Sequence, residues 1–255
     1  MIDTHCHLDL LAERTGKSFE QILAQCAAVG VTGIIIPGLE PAQWQMLADL
    51  CDRFDNLYFA VGLHPWWIDK QASLDDLELA MEQFSNHPKC IAIGECGLDG
   101  LIETPAPLQQ QVLNVHLRVA QNTNKPIILH SRKSHHKLFA LLKKIKPQAG
   151  GILHGFSGNT ATAQQFIQQG LHLGIGGTIT YLRAKQTRTT VTELEISHLI
   201  LETDSPDMPL QGFQGHANNP AQLPRVAQCL AKLRGESAEH VTKQTSVNAH
   251  KLFRF

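Results

Sequence analysis

Short apolar runs alternate with segments of helical periodicity along the 255 residues of the chain. The runs are continuously apolar, which is typical of strands in a parallel sheet covered on both faces. They predict eight strands, at 2–5, 33–37, 57–62, 90–94, 126–130, 151–154, 171–174 and 199–202. The intervening segments predict helices over 18–29, 40–53, 73–85, 107–123, 134–145, 160–169, 184–193 and 220–233. A last helix over 237–252, with Ser237 as its N-cap, ends the pattern.

Eight strand–helix units in this length average about 32 residues each, the size of a βαβ repeat. The expected fold class is therefore α/β, as a single TIM (β/α)8 barrel with an extra C-terminal helix and one domain over residues 1–255. An open doubly wound sheet is the alternative, because counting strands from sequence is error-prone. The polar residues that end the strands favour the barrel, since a barrel brings all carboxyl ends to one rim and an open sheet spreads them apart.

Polar side chains end six of the eight predicted strands. His5 and His7 lie two apart in an extended segment, so their imidazoles point to the same face and can converge on one ion. Carboxylates at the ends of buried strands cost several kcal/mol unless a cation compensates them. In chain order these strand-end residues are His5, His7, His64, Glu95, His130, His154 and Asp204.

Six of these groups are too many for one four-coordinate zinc that keeps a position open for catalysis. They suit two divalent ions that share a bridging carboxylate. Glu95 is the expected bridge because it lies midway in strand order. The predicted ligands are His5, His7 and Asp204 for one ion and His130 and His154 for the other, with Glu95 between them.

A two-metal site clamps the attacking and leaving oxygens of a displacement and lowers the pKa of a bound water. We expect Asp204 to act as ligand and general base, and Glu95 to complete the catalytic pair. Arg132 suits a bidentate contact with a phosphate oxygen, and a salt bridge at the rim is its alternative. His64 is expected to hydrogen-bond substrate, with a core or capping role as its alternative. The candidate ions are zinc, manganese and magnesium, and nitrogen-rich ligation suits zinc or manganese better than magnesium.

Aromatic and basic residues follow two other strands. Trp66 and Trp67 come after the third strand, where they could stack on bases or pack against a neighbouring loop. Arg183, Lys185 and Arg188 come after the seventh, where they could follow a phosphate backbone or simply begin a solvated helix. The sequence alone does not choose between these readings.

Composition describes a globular chain, with 43% hydrophobic and 18% charged residues and a net charge of −1. No apolar stretch approaches the roughly 20 residues of a membrane span. No targeting segment is expected before the first strand. The six cysteines lack Cys-x-x-Cys spacing and are expected to be reduced thiols. We therefore expect a cytoplasmic protein that does not bind membranes and acts as a monomer.

Six segments together resemble the TatD family of metal-dependent deoxyribonucleases, closest to its YjjV-like branch. They are IDTHCHLD at 2–9, GLHP at 62–65, GECGLD at 94–99, PIILHSR at 126–132, HGFS at 154–157 and ETDSP at 202–206. The resemblance runs from residue 2 to the C-terminal helix. It implies a TIM barrel, two divalent ions and phosphodiester hydrolysis on DNA, often from the 3′ end. The family's ligand positions match all six residues named above.

The chain departs from the family pattern at Trp66, Ser134, His136 and Glu195, none of which is a predicted metal ligand. Trp66 and His136 leave the substrate preference open. The leading prediction is a DNA phosphodiesterase of the 3′–5′ exodeoxyribonuclease type, with DNA or another phosphodiester as its substrate. The alternatives are an amidohydrolase-type enzyme acting on a small amide, ester or lactone, and a non-catalytic metal-stabilised binding protein.

Overall fold

The computed structural model describes residues 1–69, 71 and 73–255. In these residues the strands are β1 (Ile2–Asp3), β2 (Gly33–Pro37), β3 (Leu57–Val61), β4 (Cys90–Asp99), β5 (Ile127–Arg132), β6 (Gly151–Leu153), β7 (Leu171–Ile175) and β8 (Leu199–Leu201). The α-helices are α1 (Leu8–Thr15), α2 (Phe19–Ala28), α3 (Pro41–Arg53), α4 (Leu74–Ser85), α5 (Ala106–Asn122), α6 (His135–Leu142), α7 (Thr160–Gln168), α8 (Lys185–Glu193), α9 (Leu223–Arg234) and α10 (Ala238–Phe253).

The eight strands follow one another in the sheet in chain order, from β1 to β8. The strand pairs β1–β2, β3–β4, β4–β5, β5–β6 and β7–β8 are all parallel. A backbone hydrogen bond also joins the residue after β1 to β8, because the Thr4 amide donates to the Leu201 carbonyl at 3.2 Å. The expected α/β TIM barrel is thus confirmed.

The described residues pack into two compact units. The first unit consists of Met1–Ile36, Gly155–Gln164 and Leu173–Lys251. It holds β1 and β8, which the Thr4 hydrogen bond joins, and Ile2 of β1 lies opposite Gly33 of β2. The second unit consists of Pro37–His154, Gln165–His172 and Leu252–Phe255 and holds the run of strands from β3 to β6.

Strand β4 in the second unit is longer than the sequence predicts, because it continues past residue 94 to Asp99. Its register with β5 shifts between Ile93 and Cys96, as at a β-bulge, and the pairing then continues to Asp99. A Cβ atom at Gly97, where φ is +153°, would lie 2.0 Å from the His130 carbonyl oxygen. The two glycines at 94 and 97 therefore allow β4 to approach β5 closely.

The predicted helices are confirmed, with ends that differ by a few residues from the expected ones. The Ser237 hydroxyl accepts a hydrogen bond from the His240 amide at 3.1 Å, as expected of an N-cap. Helix α1 was not predicted. It has only eight residues and ends at Gly16 in the left-handed conformation, so it offers little periodicity to detect. No described helix is both long enough and apolar enough to cross a membrane.

Candidate metal centre

Three donor atoms of the first unit converge beyond the ends of β1 and β8. The Nε2 atoms of His5 and His7 lie 3.3 Å apart, and Asp204 Oδ1 lies 3.4 Å from the first and 3.6 Å from the second. Two ligand atoms about 2.1 Å from a tetrahedral zinc lie about 3.4 Å apart. The spacing of this group, called the first triad below, therefore fits a single tetrahedral ion.

The backbone holds the first triad in place. Asp204 has a left-handed φ of +55°, and its amide donates to the His5 carbonyl at 2.8 Å. The His7 amide donates to the Ser205 carbonyl, also at 2.8 Å. These bonds tie the segment after β8 to the segment after β1. A one-residue shift in either segment would therefore separate the donor atoms.

Asp3 supports the same segments from within the core and was not singled out in the sequence. Its carboxylate accepts hydrogen bonds from the Thr203 hydroxyl at 2.6 Å, the Thr203 amide at 3.0 Å and the His5 amide at 3.3 Å. Burial raises the pKa of Asp3 to about 7, although the bonds from Thr203 and His5 oppose the shift. Asp3 therefore supports the segment that carries His5 through these hydrogen bonds.

The second unit brings together Glu95, His130 and His154, called the second triad below. Glu95 Oε1 lies 3.0 Å from His130 Nδ1 and 2.8 Å from His154 Nε2, and those two nitrogens are 3.1 Å apart. Ligands at right angles around an ion, each about 2.1 Å from it, lie about 3.0 Å apart. The Glu95 side chain is only 2% exposed, so its charge needs a cation or several hydrogen bonds.

His64 lies beside the second triad as a donor instead of a ligand. Its Nδ1 accepts a hydrogen bond from the Trp66 amide at 3.2 Å, and its Nε2 lies 3.4 Å from Glu95 Oε1. A neutral imidazole that accepts through Nδ1 carries its proton on Nε2. Although His64, Glu95 and His130 are close enough to hold an ion, this tautomer directs an N–H group into the site.

Asp99 is a further site residue, which the pattern of strand ends in the sequence does not identify. Its Oδ2 accepts from Trp66 Nε1 at 2.8 Å and lies 3.5 Å from His130 Nε2, while Oδ1 accepts from the Leu101 amide. Burial opposes its ionisation, but the hydrogen bonds from these partners hold the pKa of Asp99 below its usual range. A carboxylate behind a ligand histidine orients the ring, so Asp99 turns His130 Nδ1 towards Glu95.

The pKa of His130 reflects the same arrangement. Burial lowers it, but Asp99 and Glu95 on either side of the ring raise it above the usual histidine value. Two carboxylates thus stabilise positive charge at this ring, and a metal ion at Nδ1 would meet the same favourable field. The donor sets of the two triads, four imidazoles and two carboxylates, fit divalent transition metals.

A sequence profile of the family described as "TatD related DNase" matches residues 2–254. The chain belongs to the TatD family of metal-dependent hydrolases. It is 41% identical to the "uncharacterized metal-dependent hydrolase YjjV" of Escherichia coli K12, over 99% of this chain and 97% of the relative. The crystal structure of YjjV superposes with a TM-score of 0.93 at 40% identity, covering 100% of this chain and 98% of that one.

One TatD-family relative carries a more specific description. The "3'-5' ssDNA/RNA exonuclease TatD" of Citrobacter rodentium is 28% identical over 96% of this chain and 95% of its own length. YjjV, which is more similar, is described only as a metal-dependent hydrolase. The chain therefore has the family and the fold of YjjV.

Glu202 is a fully buried carboxylate of this TatD-family chain, at the end of β8. Its Oε1 accepts a hydrogen bond from the Gly155 amide, directly after His154. A Cβ atom at Gly174 would lie 2.1 Å from Glu202 Oε2, so the carboxylate occupies space that only glycine leaves. The sequence pattern places Glu202 at a strand end and predicts no role for it. The residues that accommodate its carboxylate are Gly155 and Gly174, which are distant from it in sequence.

We expect Gly174→Ala to lower the free energy of unfolding by about 1–3 kcal/mol, because the new methyl group displaces the Glu202 carboxylate. Displacement also removes the bond to the Gly155 amide. Urea unfolding followed by circular dichroism measures the effect. Adding Glu202→Asp, which shortens the side chain, should recover part of the loss. An alanine variant as stable as the wild type would show that this contact is not tight.

The remaining predicted site residues are exposed, except Arg188, which is half-buried. Arg132 ends β5 exposed to solvent and forms no ion pair with any residue that the structure describes. Arg183 lies over the Tyr181 ring at 4.6 Å, and Arg188 donates to the Ile179 carbonyl at 2.6 Å. Lys185 begins α8. Arg183 and Arg188 thus contact residues of the segment that precedes α8.

All six cysteines are free thiols. Cys6 and Cys96 are adjacent in sequence to triad residues, and both are fully buried. Burial raises the pKa of each thiol well above its usual value. Both sulfurs therefore stay protonated, and neither is placed among the donor atoms of a triad.

Proposed function

We propose that this TatD-family protein hydrolyses phosphodiester bonds of DNA with two divalent ions, in the manner of a 3′–5′ exodeoxyribonuclease. The observation that carries the proposal is the pair of triads. Each triad places two imidazole nitrogens and one carboxylate oxygen at the spacing of metal ligands. The description of the Citrobacter rodentium relative supports the choice of a nucleic-acid strand as substrate.

The assignment of ligands follows from the donor sets. His5, His7 and Asp204 would hold one ion, and Glu95, His130 and His154 would hold the other. In a TIM barrel the carboxyl ends of all strands lie at the same rim, which is where such enzymes place their ligands. When bound, two such ions polarise a phosphodiester and lower the pKa of a coordinated water. Zinc, manganese and magnesium are the candidates, and the nitrogen-rich donor sets favour the first two.

The protein's own side chains then bind and orient the phosphodiester and accept a proton. The Asp204 carboxylate is 14% exposed, so water reaches it, and it serves as the general base that accepts the proton of the attacking water. The Nε2–H of His64 donates a hydrogen bond to a phosphate oxygen. The exposed guanidinium of Arg132 contacts a second phosphate oxygen and compensates its charge.

Metal-dependent turnover on defined substrates tests this proposal. Metal-stripped protein is incubated with single-stranded DNA, double-stranded DNA, RNA and a panel of esters, lactones and amides, and Mg²⁺, Mn²⁺ or Zn²⁺ is then restored. Cleavage of single-stranded DNA from the 3′ end, dependent on added metal, is the expected result. Asp204→Asn, purified in the same way, should lose that cleavage, because an amide cannot accept the proton.

Three results would contradict the proposal in different ways. DNA cleavage that persists in Asp204→Asn would indicate a contaminating nuclease. Turnover of carbonyl substrates alone would establish the amidohydrolase-type alternative. Tight binding of metal without turnover of any substrate would leave a metal-stabilised binding protein.

A further inference from the structure

Two tryptophans form an exposed aromatic surface beside the second triad. Trp66 and Trp67 lie in the short 3₁₀ helix Pro65–Trp67 after β3, and they are 54% and 39% exposed. Their ring planes are 16° apart, with centroids separated by 6.2 Å. We propose that this pair, called the indole platform below, stacks on an unpaired nucleobase of the strand whose phosphodiester is cut.

The indole platform is fixed in orientation despite its exposure. The indole N–H of Trp66 donates to Asp99 Oδ2 at 2.8 Å, and the Trp66 amide donates to His64 Nδ1. The His64 ring packs edge-on against both indoles, with centroids 5.6 Å from Trp66 and 5.5 Å from Trp67. An aromatic surface held by a buried carboxylate loses little conformational freedom when a ligand binds, which favours affinity.

The same residues connect the platform to the second triad. Asp99 accepts from Trp66 and lies beside His130 Nε2, so one carboxylate orients both an indole and a triad histidine. His64 contacts both indoles, and its ring centroid lies 4.5 Å from that of His130. A flat ring stacked on the platform would therefore place the adjoining part of its own molecule near the triad.

The chemistry of the surface favours a nucleotide as the occupant. Every base presents a flat π face, and stacking on an aromatic side chain tolerates any base sequence. Arg132 is the neighbour of Asp99 in the β4–β5 register and is exposed, so a cation suited to phosphate lies on the next strand. Bases in a duplex are already stacked on each other, so the platform selects an unpaired one. This inference rests on the proposed phosphodiesterase function.

An abasic substrate separates stacking from hydrolysis. Two single-stranded oligonucleotides are compared, one unmodified and one with a tetrahydrofuran abasic residue at the 3′ end. For the wild type with restored metal, kcat/KM and the Kd from fluorescence anisotropy should favour the unmodified strand by about 10-fold or more. Trp67→Ala should remove most of that preference, so that kcat/KM becomes similar for the two strands.

The control is Leu79→Ala, which removes an exposed apolar side chain from α4 and should leave turnover of both substrates unchanged. A loss in Trp67→Ala that is equal on both strands would overturn the platform while leaving the phosphodiesterase intact. Binding that prefers the unmodified strand through Trp67, without any cleavage, would support the platform and overturn the proposed hydrolysis. A wild type that neither binds nor cuts DNA would overturn both.

Discussion

Replacing Glu95 by Gln is expected to lower kcat/KM for phosphodiester hydrolysis by about 10³-fold, equivalent to about 4 kcal/mol of transition-state stabilisation. Glu95 Oε1 is the atom around which His130 Nδ1 and His154 Nε2 converge, at 3.0 Å and 2.8 Å. Glutamine keeps the shape but removes the negative charge that compensates a divalent ion. Kinetics with restored metal, together with metal content per chain by mass spectrometry, measure both consequences.

The matched control makes the same chemical change away from the triads. Glu78 of α4 pairs with Arg118 of α5 near the surface. Surface ion pairs contribute little to stability, so Glu78→Gln should keep its metal and its activity. A Glu95→Gln variant that retains two ions and full turnover would show that Glu95 is not part of the metal centre.

Acidification is expected to destabilise the protein through His116, a fully buried histidine of α5. Its Nδ1–H donates to the Val112 carbonyl at 2.7 Å, and its Nε2 accepts from the Leu63 amide at 2.8 Å. Protonation would place an N–H at Nε2 against the Leu63 N–H. Burial accordingly lowers the pKa of His116 to about 4, although the bond to Val112 opposes the shift.

The sign of the effect follows from the lowered pKa. Between pH 6.5 and about 4 the unfolded chain binds a proton at this residue and the folded chain does not. Stability is therefore fully present above pH 6.5 and falls as the pH drops towards 4, by about 3 kcal/mol in total. His116→Gln, whose amide oxygen can still accept from Leu63, should lose less stability between pH 7 and pH 4.5. Parallel urea titrations with equal pH dependence would contradict the assignment.

Much of the barrel could be predicted from the sequence because its strands are buried on both faces. A continuous run such as 33–37 has no polar position and matches β2 residue for residue. The pairing of His5 with His7 followed from the period of an extended chain, and their nitrogens do meet. Strand-end chemistry could be read because each candidate lies at a transition from apolar to polar residues.

The residues that orient the triads could not be predicted in the same way. Asp3, Asp99 and Glu202 are identified by hydrogen bonds to partners that no local pattern specifies. Asp3 binds Thr203, which is 200 positions away, and Glu202 binds Gly155. The extension of β4 depends on the fit of Gly97 against the His130 backbone, which also becomes visible only after folding.

The two triads differ in when the growing chain can build them. Glu95, His130 and His154 belong to one continuous stretch, residues 37–154 of the second unit, in which the two histidines are 24 positions apart. The first triad joins His5 and His7 to Asp204, almost 200 positions later, and closing so long a loop costs more entropy. During synthesis His5 and His7 are translated first, but the first triad is complete only after Asp204 has been translated. The second triad, whose last residue is His154, can therefore form earlier.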